Sequence, residues 1–292
     1  MNKKRSTGEI IFDNFNIIIL FLLMIITLYP FLYVVFASLS DPIKIMQSGS
    51  MLLWPKGFQL GAYEMVFKNQ MIAIGYKNTL MYVTFGTAIN LLLTSFGAYA
   101  LSRKGVYGRN VFMFMIVFTM FFNGGIIPTF LTVKTLGMVN TRWAMIIPGA
   151  ISVMNLIIMR TSFENIPDSL IESTKIDGAN DFTILFKIVI PISLPVVAVM
   201  ALFYGVGHWN AFFNALVYLR SKNLYPIQLV LRDILISNST DSMTTGVVTD
   251  TLPISENVKY AVVVVATVPI LMIYPFIQKY FVKGVMIGSI KG

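Results

Sequence analysis

The side chains with chemistry to offer fall in two places. The first is a polar, charge-bearing stretch between two long apolar runs, Glu172-Ser-Thr-Lys-Ile-Asp177-Gly178-Ala179, followed after a further helix's length by Ile188-Val-Ile-Pro191-Ile-Ser-Leu-Pro195. The second is His208-Trp209-Asn210 with Asn214, together with Asn123 further upstream. Amides hydrogen-bond hydroxyl groups and an indole face covers C–H surface, which are the contacts a sugar offers. The same groups also serve as hydrogen bonds between membrane helices, worth about 0.6–2 kcal/mol each, so both readings of Trp209, Asn210 and Asn214 stand. Asn123 precedes Gly124-Gly125 and Pro128. Irregular backbone at membrane depth survives only where it lines a cavity or is buried in protein. Asn123 is therefore a candidate for touching a polar solute, the alternative being a helix end at the outer interface. His208 reads as a packed or hydrogen-bonded histidine.

Other chemistry is excluded. With no cysteine and one histidine, neither a disulfide nor a thiolate or histidine metal centre is expected. No G-x-x-x-x-G-K-[ST] phosphate loop occurs, so the chain is not expected to hydrolyse ATP. No catalytic residue, cofactor or metal ligand is assigned, and a non-enzymatic role is expected.

The elements that must position these groups are membrane helices. The chain of 292 residues is 56% hydrophobic and 12% charged, with 18 Met and 23 Phe, which no ordinary soluble domain shows. Six charge-free windows run 14–40, 78–102, 110–133, 143–159, 188–219 and 260–278. A span needs about 20 apolar residues and must satisfy its own backbone, so each window reads as a helix. The expected spans are 16–38, 78–102, 111–132, 143–160, 196–219 and 260–278. They follow a tail over 1–13 and make a single transmembrane domain over 14–292. An even number of spans puts both termini on one face, and Lys3-Lys4-Arg5 with Arg103, Lys104 and Arg109 place that face in the cytoplasm. Net charge +9 sits beside helix ends, which suits anionic lipid rather than nucleic acid.

Between the spans, Trp54-Pro55-Lys56-Gly57 makes a turn suited to the membrane surface. Gly97 and its neighbouring alanines allow close helix contact. The outer loop 220–259 is expected to be exposed, with a flexible Ser/Thr/Asp/Gly-rich part at 238–251. Pro269 and Pro275 should kink the last helix. Within the inner loop 161–195, Pro167 and Asp168 suit a helix N-terminus and Gly178 a left-handed cap. A second helix begins near Phe182, capped by Asn180 or Asp181, with Phe182, Leu185, Phe186 and Val189 on one face. Pro191 should end it by holding Ile190 extended. The spacing predicts a compact knob below the membrane.

Glu172, Gly178, Ile188, Ile190 and Pro191 fall in register with the cytoplasmic signature loop of importer-type ABC permeases, and Asp177, Ala179, Phe186 and Pro195 are typical of its carbohydrate-uptake branch. Ser173, Thr174 and Ile190 depart from the usual alanines and leucine. The tail from Gln278 to Gly292 and the Tyr29-Pro30-Phe31-Leu32 segment also resemble the smaller, maltose-permease-like subunit of oligosaccharide importers.

The resemblance implies an all-α type I importer fold in the bacterial plasma membrane, multi-pass, working with four kinds of partner. These are a second permease subunit, two ATP-binding cassette subunits, an extracytoplasmic solute-binding protein and membrane lipid. It implies that Glu172, Asp177, Gly178, Ala179, Ile188, Pro191 and Pro195 dock on the ATPase. A non-sugar solute is the alternative cargo. An ion-coupled secondary transporter fits less well, because all six windows lack Asp, Glu, Lys and Arg.

Overall fold

The computed structural model describes residues 6–47, 51–244, 257–273 and 275, and these are helical with loops; no strand occurs among them. In chain order the helices are α1 (Thr7–Ser38), α2 (Pro42–Gln47), α3 (Gly61–Lys68), α4 (Gln70–Ser102), α5 (Arg109–Phe121), α6 (Ile126–Thr135), α7 (Trp143–Ile146), α8 (Val153–Glu164), α9 (Asp168–Ile176), α10 (Asp181–Ile192), α11 (Leu194–Trp209), α12 (Phe212–Tyr218), α13 (Ile227–Thr244) and α14 (Asn257–Ile273). The described residues fall into two compact units, one reaching Asn69 and including Asp233–Thr267, the other holding Gln70–Arg232 and the residues from Val268.

In the first unit, α1 begins at Thr7, inside the expected tail, where Glu9 folds back to accept the Ser6 N–H at 2.9 Å. The Trp54-Pro55-Lys56-Gly57 turn is tied to the end of this helix. The Asp41 N–H donates to Lys56 O at 2.8 Å, and the Lys56 N–H donates to Ser40 Oγ at 2.9 Å. Tyr63 of α3 reaches Ser38 at 2.7 Å, and the Asn257 amide caps Ser40 O.

In the second unit, α4 is the longest element at 33 residues, and it starts eight residues before the expected Asn78. A π turn at Tyr82–Gly86 widens it locally. Gly97 lets α8 close on α4, since an added Cβ would stand 3.0 Å from Leu156 Cδ1. The core joins Ala98, Tyr99 and Leu101 of α4 to Leu156, Met159 and Phe163 of α8. Ile171, Ile184, Leu185, Val189 and Met200 belong to the same cluster, so the inner loop is part of the core.

Among the described residues two unbroken helices, α1 and α4, are long and apolar enough to cross a membrane, and two further spans arise if each of two bent pairs counts as one. The differences from six straight spans have local causes. The 111–132 window bends by 117° between α5 and α6, where Gly125 takes φ +82° and its N–H donates to Asn123 Oδ1 at 2.9 Å. The 143–160 window breaks after α7 at Pro148-Gly149, because proline cannot donate to the preceding turn. The 196–219 window breaks at Asn210-Ala211, where the Phe212 N–H donates to Asn210 O at 2.8 Å around Ala211 at φ −75°, ψ +64°, an inverse γ-turn.

The segment 220–259, expected as a loop, is not wholly one. After Lys222–Leu224 it forms α13, with Ile227, Leu229, Val230 and Leu231 buried. The rest of the 238–251 reading, from 245, lies outside the described residues, as do Tyr274, residues 276–278 of the last expected span and the tail.

Candidate functional site

The knob is built from α9, the Gly178 corner and α10. Helix α9 starts after Pro167 and ends in a Schellman arrangement: the Gly178 N–H donates to Lys175 O at 3.0 Å and the Ala179 N–H to Thr174 O at 3.1 Å. Gly178 sits at φ +81° with open space where a Cβ would be, so glycine serves the backbone angle there and not a close approach. Asn180 then caps α10 by accepting the Thr183 N–H at 2.8 Å.

Pro191 does not end this helix. Ile190 is helical at φ −62°, ψ −48°, and a π turn over Leu185–Val189 widens the backbone ahead of the proline ring. That widening relieves the clash an α-helix would impose on the carbonyl four residues back. The chain turns instead at Ser193, with 88° between α10 and α11, and Pro195 lies in the first turn of α11.

The expected apolar stripe is divided. Leu185 and Val189 are buried with Ile184, whereas Phe182 and Phe186 are exposed and pack edge-on against the Phe96 ring, each at 6.0 Å between centroids. Burying Ile171, Ile184, Leu185 and Val189 contributes about 1.5–3 kcal/mol each relative to water. Away from that seam Glu172, Asp177 and Gly178 are exposed and Ile176 stands out with 86% of its surface free, while Ile188 is partly covered and Ala179 packs partly against the core. Ile176 thus stands as an isolated apolar side chain at the Gly178 corner, with Lys175 and Asp177 beside it in the chain and Glu172 one turn back. Its alternation with charged neighbours hid it in the sequence.

Polar ties fix the knob to the bundle. The Tyr99 hydroxyl donates to Asp181 Oδ1 at 2.9 Å, and Lys175 Nζ lies 3.7 Å from the same oxygen. Arg103 stacks over the Tyr99 ring at 5.1 Å and donates to Phe163 O at 2.8 Å. Arg160 donates to Leu101 O at 3.0 Å, satisfying a carbonyl near the α4 C-terminus, and pairs with Glu164, which also holds Arg109 at 3.3 Å. Lys104 Nζ meets Asp168 at 2.8 Å. The hydrogen bond and charge of Lys104 hold the Asp168 carboxyl below the usual carboxylate range, and Asp168 in turn raises Lys104.

The proposed path residues do not form one cluster. Trp209 is buried, its ring 6.3 Å from Tyr76, while Asn210, Asn214 and Asn123 are exposed. Asn210 and Asn214 stand four apart in the sequence, the spacing of one helix face, but the γ-turn between them breaks that helix, so they share no continuous face. Asn123 spends its side-chain oxygen on holding its own turn. No hydrogen bond joins the four among the described residues.

A polar seam lies elsewhere, along α4. Asn90, 1% exposed, donates to Gly149 O at 3.0 Å and lies 3.3 Å from His208 Nε2. Thr94 and Tyr204 hydroxyls meet at 2.7 Å, and the Ser152 N–H donates to Tyr204 at 3.0 Å. The seam satisfies the backbone freed where α7 and α8 are interrupted. Among the described residues no three His, Cys, Asp or Glu side chains converge as a metal site would require.

A helical membrane unit with a charged, glycine-cornered knob welded to its core is the architecture of a transport permease. Residues 91–287 match the family described as binding-protein-dependent transport system inner membrane component. The chain is 46% identical over 278 residues, 93% of its own length and 96% of the relative's, to the polygalacturonan/rhamnogalacturonan transport system permease protein YtcP of Bacillus subtilis (strain 168). It is 27% identical over 295 residues, 99% of this chain and 100% of the relative, to the arabinooligosaccharides transport system permease protein AraQ of Halalkalibacterium halodurans. Among solved structures, a chain of a bacterial ABC transporter involved in the import of the acidic polysaccharide alginate superposes with a TM-score of 0.86 at 33% identity, covering 96% of this chain and 100% of that one. This chain therefore belongs to the family of inner-membrane components of binding-protein-dependent transport systems, and its fold is that of a type I ABC importer permease.

Proposed function

We propose that the chain is one permease subunit of an ATP-driven importer of oligosaccharides released from a polysaccharide. It crosses the bacterial plasma membrane six times with both termini cytoplasmic, pairs with a second permease, rests on two ATP-binding cassette subunits and receives cargo from an extracytoplasmic binding protein. Glu172, Asp177, Gly178, Ala179, Ile188, Pro191 and Pro195 shape the surface that meets the ATPase. Asn123, Trp209, Asn210 and Asn214 are offered as lining the route, acting singly and not as one cluster.

The observation that carries the reading is the knob: an exposed Ile176 beside Asp177 at a Gly178 corner, with exposed Glu172 one turn back, on a buried Ile184, Leu185 and Val189 seam. A lever must not absorb the stroke it transmits, and that seam makes it stiff. ATP binding to the partner subunits then moves α9 as a rigid body and biases the bundle between inward-open and outward-open states. The relatives named for polygalacturonan and alginate favour acidic oligosaccharides as cargo.

The test is uptake of an oligogalacturonate into vesicles holding both permeases and the two ATPase subunits, with the binding protein outside and ATP within. Uptake that needs ATP is the expected result. Uptake that follows an ion gradient without ATP would overturn the proposal.

A further inference from the structure

We propose that Tyr99 and Asp181 form a positioning pair that transmits the movement of the knob to α4, and that their hydrogen bond sets how much transport each ATP yields. This rests on the coupling role proposed above. Asp181 is the junction of three elements. It opens α10, its carboxylate accepts from Tyr99 of α4 at 2.9 Å, and the same oxygen faces Lys175 of α9 at 3.7 Å. Tyr99 is 7% exposed and is held from the other side by the Arg103 guanidinium over its ring. Arg103 is in turn fixed to Phe163 O at the end of α8. The tie from α10 to α4 is therefore a directional, charge-assisted hydrogen bond, with Lys175 of α9 joined to it by charge alone, while Lys104 and Asp168 link α9 to the segment after α4 and the apolar seam resists compression without a directional tie.

The two partners differ in what else holds them. Asp181 is largely exposed, so it keeps water and Lys175 if the tyrosine hydroxyl is lost. The Tyr99 ring stays packed among Ala98, Phe163 and their neighbours if only its oxygen is removed. Tyr99→Phe is thus a change that spares the fold and cuts the tie. Arg103 and Lys175 are the other charged groups that face the pair, and neither replaces a bond between α4 and α10.

The experiment measures uptake and ATP hydrolysis together in vesicles holding the whole transporter, with Tyr99→Phe, Asp181→Asn, both together, and Asp181→Glu. Each single variant is expected to assemble with its ATPase subunits and hydrolyse ATP, yet to lower uptake per ATP by about tenfold, the factor that loss of a charge-assisted hydrogen bond represents in an equilibrium. The double variant should be no worse than either single one, and Asp181→Glu should recover part of the ratio. A wild-type ratio in Tyr99→Phe, independent losses that multiply in the double variant, or loss of assembly in both single variants would overturn the proposal. Failure of ATP-dependent uptake in the unsubstituted transporter would instead sink the reading of the chain as an importer subunit.

Discussion

Gly178 and Gly86 are both glycine for necessity, but of different kinds. At Gly86 an added Cβ would stand 2.4 Å from His208 Nε2, so close packing of α11 on α4 forbids a side chain. At Gly178 nothing stands within 4 Å of that position, and the φ of +81° alone excludes a branched side chain. Gly178→Val should therefore cost about 1–3 kcal/mol of local strain, which the corner can escape by unwinding the last turn of α9. Uptake in vesicles should fall while ATP hydrolysis persists, and Gly178→Asn, which tolerates the left-handed region, should keep most of both. Equal behaviour of the two variants would mean that the backbone angle is not what the corner requires. Gly178 was legible in the sequence because the cap depends on neighbours only a few residues away. Gly86 was not, because His208 lies more than a hundred residues downstream.

At the scale of elements, helix starts follow residues close by in the chain, whereas a long apolar run does not by itself show where it bends. Pro167, Asp168 and Asn180 stand at the helix starts their side chains suit. The breaks at Asn123 to Gly125 and at Pro148-Gly149 had residues to announce them, whereas Asn210-Ala211 has neither glycine nor proline and turns on a single backbone bond. Helix α13 was hidden because its second half, Ser237 to Thr244, has the composition of a loop. The first turn of α9 carries a pH signature. Lys104 donates to Asp168, whose charge also lies at the helix N-terminus. A carboxyl held below its ordinary range contributes stability that is present above its unfolded pKa and lost as pH falls through the lower, folded value. Both groups are exposed, so the contribution is screened by salt. Replacing Lys104 with Met should raise the Asp168 titration toward the ordinary carboxylate range in side-chain NMR, and high salt should do the same to the unsubstituted protein. An unmoved titration would show that Lys104 does not hold the carboxyl.

The second unit is organised along one helix. With 33 residues α4 extends about 50 Å, more than the ~30 Å of a bilayer's hydrocarbon, so it can gather groups along its whole length. Near its start Asn78 donates to Asn223 O at 2.7 Å, midway Asn90 and Thr94 hold the α7–α8 break and α11, and near its end Tyr99 holds the knob. The sequence offered this as a span lined with small residues and gave no sign of the seam, because Asn90 and Thr94 find partners that are distant in the chain and partly backbone. Polar groups between membrane helices average only about 0.6 kcal/mol, while a buried group left without its partner costs about 1–3 kcal/mol. Asn90 decides between them. Asn90→Leu keeps the branched shape but removes the donor to Gly149 O and the neighbour of buried His208. Gly149 O and His208 each lose a partner, so the loss should amount to about 1–3 kcal/mol. Thermal unfolding in detergent should show that drop for Asn90→Leu. Adding His208→Leu should cost less than its effect in the unsubstituted chain, since the histidine has already lost its partner. Strictly additive losses would mean that the two side chains do not act together and that α4 is held by packing alone.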